Sequence, residues 1–220
     1  MSETSYLYVV LTSTHSKMGG LIRTVTRYPY NHVSVALEAH PTVLYSFARH
    51  YEDAPFYGGF VRESALRYCR RNRGAEALVF AVPVEPAELE LLRRRLDEMA
   101  AQHQLYLYNT LSALLVPLKR KVALPASYTC VEFAVDVLQT SGAPVKLETD
   151  RFYSVADLAL LLEDYLMGRT SIDAYMTSLD WAEDTFPTQT SVWLRTRLTA
   201  GSYRELLSRL IQSRFTRSGT

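Results

Sequence analysis

The chain has 220 residues, of which 48% are apolar and 21% charged, and its net charge is +1. These values are typical of a globular protein with a full hydrophobic core, and the near-zero charge argues against nucleic acid as the main partner. No signal peptide or membrane-spanning run is recognisable, so we expect a cytoplasmic protein. Because Cys69 and Cys130 are the only cysteines, we expect neither a structural disulfide nor a cysteine-rich zinc site.

The first half of the chain alternates between predicted strands and helices. Residues 6–11 are a β-branched and aromatic run, which predicts a strand, and residues 21–26 are predicted as a short helix. Residues 32–37 alternate in polarity and predict a second strand, with residues 43–48 as its partner across a turn. The list is completed by a buried strand over 77–82, a helix that starts at Pro86, and another helix over 106–118.

The most informative helix starts at Cys130. Thr129 and Glu132 have the spacing of a capping box, and Gly142 and Pro144 follow the last turn. Free backbone N–H groups and the positive end of the helix dipole stabilise a thiolate in a first turn. A nearby histidine could then act as the general base. The alternative is a buried cysteine that only packs.

His32 starts an alternating strand after a proline-containing turn, which makes it the candidate base, although many histidines are simply polar residues. A third group should orient its imidazole. If residues 38–40 form a three-residue turn, Ser46 lies directly across from His32 and shares its face. Glu38 and His40 are more usual orienting groups, but this register places them in the turn. We therefore favour Ser46.

The chain changes character after about residue 150. Residues 157–165 predict a helix, residues 178–190 a loop, and Ser202 the start of an amphipathic helix with Leu206, Leu207, Leu210 and Ile211 inward. From residue 190 onward there are six arginines and one acid, whereas residues 148–184 hold nine acids and two arginines. The basic tail could dock on the acidic portion, on another subunit or on an anionic membrane. Docking within the chain is the simplest hypothesis, because the helix must bury its leucines.

Five ordered segments together resemble the NlpC/P-sixty superfamily of cysteine peptidases, in particular a group of bacterial proteins. They are residues 30–37 (YNHVSVAL), 44–49 (LYSFAR), 58–61 (GGFV), 106–111 (YLYNTL) and 128–134 (YTCVEFA). The order, with His32 before Cys130, is similar to the circularly permuted papain-like branch. That branch includes lecithin retinol acyltransferase-like proteins.

The resemblance implies an α+β fold of the permuted papain-like (NlpC-like) kind, with a small antiparallel sheet packed against helices that include the cysteine-bearing helix. We predict a hydrolase domain over residues 1–177 and a C-terminal helical extension over residues 178–220. The resemblance implies the site residues as well. The predicted catalytic residues are Cys130, His32 and Ser46, and the predicted substrate-binding residues are Tyr108, Asn109 and Tyr30.

The function implied is a cysteine-dependent hydrolase of the peptidase or amidase type, which forms a covalent acyl-enzyme without a metal or cofactor. Two alternatives stay open. One is a lipid-directed thiol acyltransferase or phospholipase on the same Cys–His dyad, and the other is a non-catalytic binding module that retains the fold. The expected partner is a peptide, amide or lipid ester substrate, and peripheral membrane contact through the C-terminal arginines stays open.

Overall fold

A six-stranded antiparallel sheet forms the centre of the molecule. The structure, a computed structural model, describes residues 4–14, 28–69, 74–177, 186 and 190–217. Its strands in chain order are β1 (Ser5–Thr12), β2 (His32–Ala36), β3 (Leu44–Arg49), β4 (Gly58–Glu63), β5 (Glu76–Val84), the short pair β6 (Leu107–Tyr108) and β7 (Ser127–Tyr128), and β8 (Leu166–Ser171). The spatial order of the large sheet is β4-β3-β2-β1-β5-β8, and β6 and β7 form a separate parallel pair.

Seven helices accompany the sheet in the described part of the chain. They are α1 (Leu66–Cys69), α2 (Pro86–Ala101), α3 (Thr110–Leu114), α4 (Cys130–Thr140), α5 (Val155–Leu161), α6 (Ile172–Tyr175) and α7 (Val192–Arg217). Short 3₁₀ turns occur at His103–Leu105, Val116–Leu118 and Glu163–Tyr165. None of these helices is long and apolar enough to cross a membrane. The α+β class predicted from the sequence is confirmed.

The two faces of the sheet carry separate apolar cores, because successive strand residues point to opposite sides. On one face Leu7, Val9 and Leu11 of β1 pack with residues of α2, α4 and α5. On the other face Val10 packs with residues of α1 and α6. The helix that starts at Cys130 therefore rests on the larger of the two cores.

Helix α4 is fixed at its start by the capping box that the sequence predicts. The Thr129 hydroxyl accepts a hydrogen bond from the Glu132 N–H, and the Glu132 carboxylate accepts one from the Thr129 N–H. Phe133, which is fully buried, packs its ring against those of Phe47 and Phe60. These contacts fix the position of the first turn, and with it Cys130, relative to the sheet.

The short pair β6–β7 lies close against the large sheet at Gly59. A Cβ atom on Gly59 would lie 2.2 Å from the Tyr106 carbonyl oxygen, so any larger residue would push the two backbones apart. Because β7 leads directly into α4 and β6 leads into α3, this close approach sets where both helices begin.

The structure corrects several predicted elements. Residues 106–118 are not one helix but β6, α3 and a 3₁₀ turn, because Asn109 caps a new helix directly after β6. Strands β4 and β8 were not predicted, and the predicted helix over residues 21–26 lies outside the described residues. The predicted helix over 157–165 is α5 followed by a 3₁₀ turn.

The C-terminal helix contacts its own chain at Asp53 and at the backbone carbonyls of Leu105, Pro125 and Ala126. It starts at Val192 rather than at Ser202. Leu206 is buried, whereas Leu207 and Ile211 are exposed, which corrects the predicted inward face. Arg195 pairs with the Asp53 carboxylate, which also accepts hydrogen bonds from Thr190. The division between residues 1–177 and 178–220 stays a prediction.

Replacement of Phe133 by alanine should lower the free energy of unfolding by about 3–5 kcal/mol, because it leaves a cavity between α4 and the sheet. Urea denaturation measures the change. The matched control is Leu91→Ala, because Leu91 is 51% exposed on α2, and it should cost less than about 0.5 kcal/mol. Equal effects of the two substitutions would contradict the role of Phe133 in seating α4.

Candidate active site

Cys130 and His32, which lie far apart in the sequence, meet in the structure. The Cys130 side chain lies close enough to the His32 imidazole to raise the pKa of His32. Cys130 is the first residue of α4 and is 7% exposed, and His32 is the first residue of β2, with a side chain that is 12% exposed. The two candidate catalytic residues are thus neighbours, and both are nearly enclosed.

The imidazole is held on its other side by a carboxylate that sequence reasoning missed. His32 Nε2 lies 3.1 Å and 3.2 Å from the two carboxylate oxygens of Glu63, the last residue of β4. Since Nε2 faces Glu63, the remaining nitrogen, Nδ1, is the one available to the thiol. Cys130, His32 and Glu63 therefore form a continuous chain of polar contacts.

Two hydroxyl groups also donate hydrogen bonds to the Glu63 carboxylate. The Ser34 hydroxyl and the Tyr68 phenol each donate to Glu63 Oε2 at 2.6 Å. The Glu63 side chain is 2% exposed. A buried carboxylate is costly unless it is paired and hydrogen-bonded, and here one imidazole and two hydroxyls satisfy it. The orientation of the imidazole therefore depends on a carboxylate that is itself fixed.

The His32–Glu63 pair is ionised around neutral pH. Burial lowers the pKa of His32, but the Glu63 charge and the hydrogen bonds with Cys130 and Glu63 outweigh it and raise the pKa to about 10. Burial raises the pKa of Glu63, but the charge and hydrogen bond of His32, with the charge of Arg67, bring it down to about 2. The imidazole is therefore an imidazolium at the pH where the protein would work.

The prediction that Ser46 orients the imidazole is wrong. Val35 pairs with Tyr45, whereas the predicted turn would have paired Val35 with residue 43, so the register differs by two residues. The buried Ser46 hydroxyl donates instead to the Val33 carbonyl oxygen at 2.7 Å. Ser46 thus links β3 to β2, and Glu63 is the residue that contacts the imidazole.

Glu63 could have been suspected from one signal. It is an acid at the end of the apolar segment 58–61, which the resemblance includes, and burial of such a residue needs a partner. What the sequence did not reveal is that this segment is a strand beside β3. Glu63 lies on β4, which is separated from β2 by β3. Rules for pairing neighbouring strands therefore could not identify it.

A cleft of about 320 Å³ opens beside the thiol. Its wall comes mainly from α3, the segments 121–124 and 127–129, one face of α4 from Cys130 to Gln139, and the segment 149–155. Most of the lining is apolar, and the apolar residues include Val116, Val122, Leu124, Val131, Val135, Phe152 and Val155. Charged groups also line it, namely Lys121, Glu132, Asp136 and Arg151.

The three predicted substrate-binding residues have different environments. Tyr108 lines the cleft, and burial together with the nearby Cys130 raises its pKa well above the ordinary value. Asn109 also lines the cleft, but its side chain caps α3 and donates to the Val122 carbonyl at 2.8 Å, so it holds the cleft wall. Tyr30 is 3% exposed in the core and does not line the cleft, which corrects that assignment.

Within the described residues, no three or more histidine, cysteine or acidic side chains are grouped so that they could hold a metal ion. The chain was also compared with family models, curated proteins and solved structures, and none of the three comparisons found a match.

The ion pair makes stability depend on pH in a defined direction. Because the pKa of His32 is raised to about 10, its contribution is fully present below about 6.5 and is lost as pH rises through about 10. Because the pKa of Glu63 is lowered to about 2, its contribution is present above 4.5 and is lost as pH falls through about 2. In Glu63→Gln, the free energy of unfolding should therefore fall most between pH 5 and about 6.5, as urea denaturation across pH would show.

The matched control is Ser46→Ala, which leaves the imidazole and its carboxylate intact. Histidine nitrogen NMR, assigned with a His32→Gln variant, measures the same pair directly. The pKa of His32 should fall by about 1–3 units in Glu63→Gln, since a neutral amide removes the charge that raised it. It should stay unchanged in Ser46→Ala. An unchanged pKa in Glu63→Gln would contradict the assignment of Glu63 as the partner.

Proposed function

We propose that this chain is a cysteine-dependent hydrolase of the peptidase or amidase type, with a circularly permuted papain-like fold. The observation that carries the proposal is the chain of contacts from the Cys130 thiol through the His32 imidazole to the buried Glu63 carboxylate. A nucleophile, a base and a group that orients the base are the three parts of a catalytic triad, which is recognised by geometry and not by order in the sequence.

The start of α4 supports the nucleophile in two ways. The first N–H groups of a helix have no partner within the helix and carry the positive end of its dipole, which favours a thiolate. The Cys130 N–H is also a candidate donor to the oxyanion of a tetrahedral intermediate. A cytoplasmic location is part of the proposal, because a reduced catalytic thiol persists in a reducing compartment.

In the proposed reaction the Cys130 thiolate attacks the carbonyl carbon of an amide, and the carbonyl electron pair moves to oxygen. When the intermediate collapses, the C–N bond breaks and the leaving nitrogen takes the proton from the His32 imidazolium. Neutral His32 then takes a proton from water, whose oxygen attacks the thioester. The C–S bond breaks, the acid product leaves, and the thiolate–imidazolium pair is restored.

The rate of Cys130 alkylation against pH tests this proposal, with Cys69→Ser in every variant so that one thiol reacts. We expect rapid alkylation that persists well below the free-thiol pKa of about 8.5, because the imidazolium stabilises the thiolate. In His32→Ala the reaction should titrate like that of a free cysteine. Mass spectrometry after mixing with a p-nitrophenyl ester should show one acyl group on Cys130.

His40→Ala is the matched control, because His40 is exposed in the turn after β2, and it should behave like the parent. A parent protein whose thiol titrates as free cysteine and forms no acyl adduct would overturn the proposal. That result would favour a non-catalytic binding module built on the same fold.

A second candidate function is acyl transfer or hydrolysis on a lipid ester by the same residues. The observation that favours it is the largely apolar lining of the cleft beside Cys130. Ligand pockets of this kind hold apolar groups and use a few polar residues for orientation. An acyl chain would pack against this apolar lining.

The length of the acyl chain distinguishes the two candidates. On a lipid-directed enzyme, kcat/KM for p-nitrophenyl esters should rise from acetyl toward octanoyl, by up to about fourfold per methylene, since each buried methylene is worth about 0.8 kcal/mol. In Val135→Trp, which fills the cleft, the preference should move to shorter chains. A Leu91→Trp control, at an exposed position of α2, should keep the parent's chain-length preference. A kcat/KM that does not vary with chain length would exclude the lipid candidate.

A further inference from the structure

The guanidinium of Arg209 on the C-terminal helix lies among backbone carbonyls near the site. Its Nη2 donates to the Leu105 carbonyl at 3.0 Å, and its Nη1 donates to the Pro125 and Ala126 carbonyls at 3.0 Å each. The Ser127 hydroxyl lies 3.1 Å from Nη1. The Arg209 side chain is only 14% exposed. Arg209 is thus largely enclosed, and besides the ion pair of its Nε with the Glu205 carboxylate at 3.1 Å it is held mainly by backbone acceptors.

Those carbonyls stand at the starts of β6 and β7. Because β6 and β7 are parallel, both strands begin at the same end, and the guanidinium joins the two beginnings. The opposite ends carry Tyr108, which lines the cleft, and Cys130, three residues beyond Ser127. Arg209 therefore contacts the backbone just before β7, the strand that leads into α4 and Cys130.

The backbone at this point is in a conformation that needs support. Ala126 has φ of +46°, in the left-handed region that a residue with a Cβ rarely adopts. Its carbonyl accepts from both Arg209 Nη1 and the Leu107 N–H, each at 3.0 Å. Such a conformation persists only where its surroundings over-determine it, and the Arg209 guanidinium supplies a large part of that constraint.

We propose that Arg209 is a positioning residue, which holds β7 so that the Cys130 thiol meets the His32 imidazole. The C-terminal helix then supports the active site through this one side chain. This inference rests on the proposed function, because it assigns Arg209 a role in setting the thiol–imidazole contact. It predicts that loss of the guanidinium changes the reactivity of a thiol that Arg209 does not touch.

The test compares Arg209→Gln and Arg209→Lys with Arg204→Gln, all in the full chain with Cys69→Ser. Arg204 is the matched control, because it is exposed on the same helix. In Arg209→Gln, Cys130 alkylation near pH 6 should fall by about tenfold or more, since displacement of a reacting group by about 1 Å costs up to 10²-fold. Its pH profile should also move toward that of a free thiol.

Arg209→Lys keeps the charge but cannot reach carbonyls on both strands at once, so its profile should lie between those of Arg209→Gln and the parent. It also keeps the test decisive if Arg209→Gln fails to fold. Circular dichroism and thermal unfolding of each variant separate misfolding from misplacement. The Arg204→Gln profile should superimpose on the parent.

The failures of the two proposals are distinguishable. If the parent thiol has a low pKa and folded Arg209 variants keep the parent profile, the inference about Arg209 is overturned alone. If the parent thiol titrates like free cysteine, the proposed function is overturned, and the role of Arg209 in setting the dyad falls with it.

Discussion

The ion pair between His32 and Glu63 is the interaction on which the site depends. Two charges are taken out of water there, which costs several kcal/mol for each ion unless every lone pair and proton is satisfied. The Ser34 and Tyr68 hydroxyls satisfy the carboxylate on one side, and the imidazolium satisfies it on the other. The sheet must therefore hold β2, β4 and the segment after β4 in one register, because a shift in any of them would leave a buried charge unpaired.

The apolar architecture supplies that rigidity. Phe133 of the cysteine helix packs into the aromatic cluster on the large face of the sheet, and the capping box at Thr129 fixes where the helix starts. Gly59 lets the β6–β7 pair approach β4 closely, so the strand that leads to Cys130 lies against the edge that supplies Glu63. The positions of the thiol and of the carboxylate therefore both depend on β4, and the imidazole lies between them.

Local sequence patterns predicted the cysteine helix and strand β2. They did not predict the contacts that depend on how the strands pair. The cysteine helix and its capping box could be predicted because both depend on residues within one turn. Strand β2 followed from alternation, but its pairing did not, since a shift of two residues keeps every side chain on the same face. The polarity pattern therefore could not show that Ser46 bonds elsewhere, or that Glu63 lies beside the His32 imidazole. The exposed Leu207 was misassigned because periodicity does not say how far a face is covered, whereas Tyr30 was assigned through the resemblance and is buried in the core.

The choice of a carboxylate as the orienting group has a chemical consequence. Glu63 stabilises the imidazolium in every state, and Cys130 adds to this through its hydrogen bond and its charge. Once the thiol is acylated, the contribution of Cys130 disappears and the pKa of His32 must fall, although Glu63 still holds it up. The same carboxylate that favours a reactive thiolate therefore makes His32 a weaker acid toward the leaving group and a scarcer base for the second step. If the chain is the proposed hydrolase, proton transfer from His32 to an amide leaving group is the step that this carboxylate makes harder, and esters and thioesters, whose leaving groups need less protonation, should be turned over faster than amides.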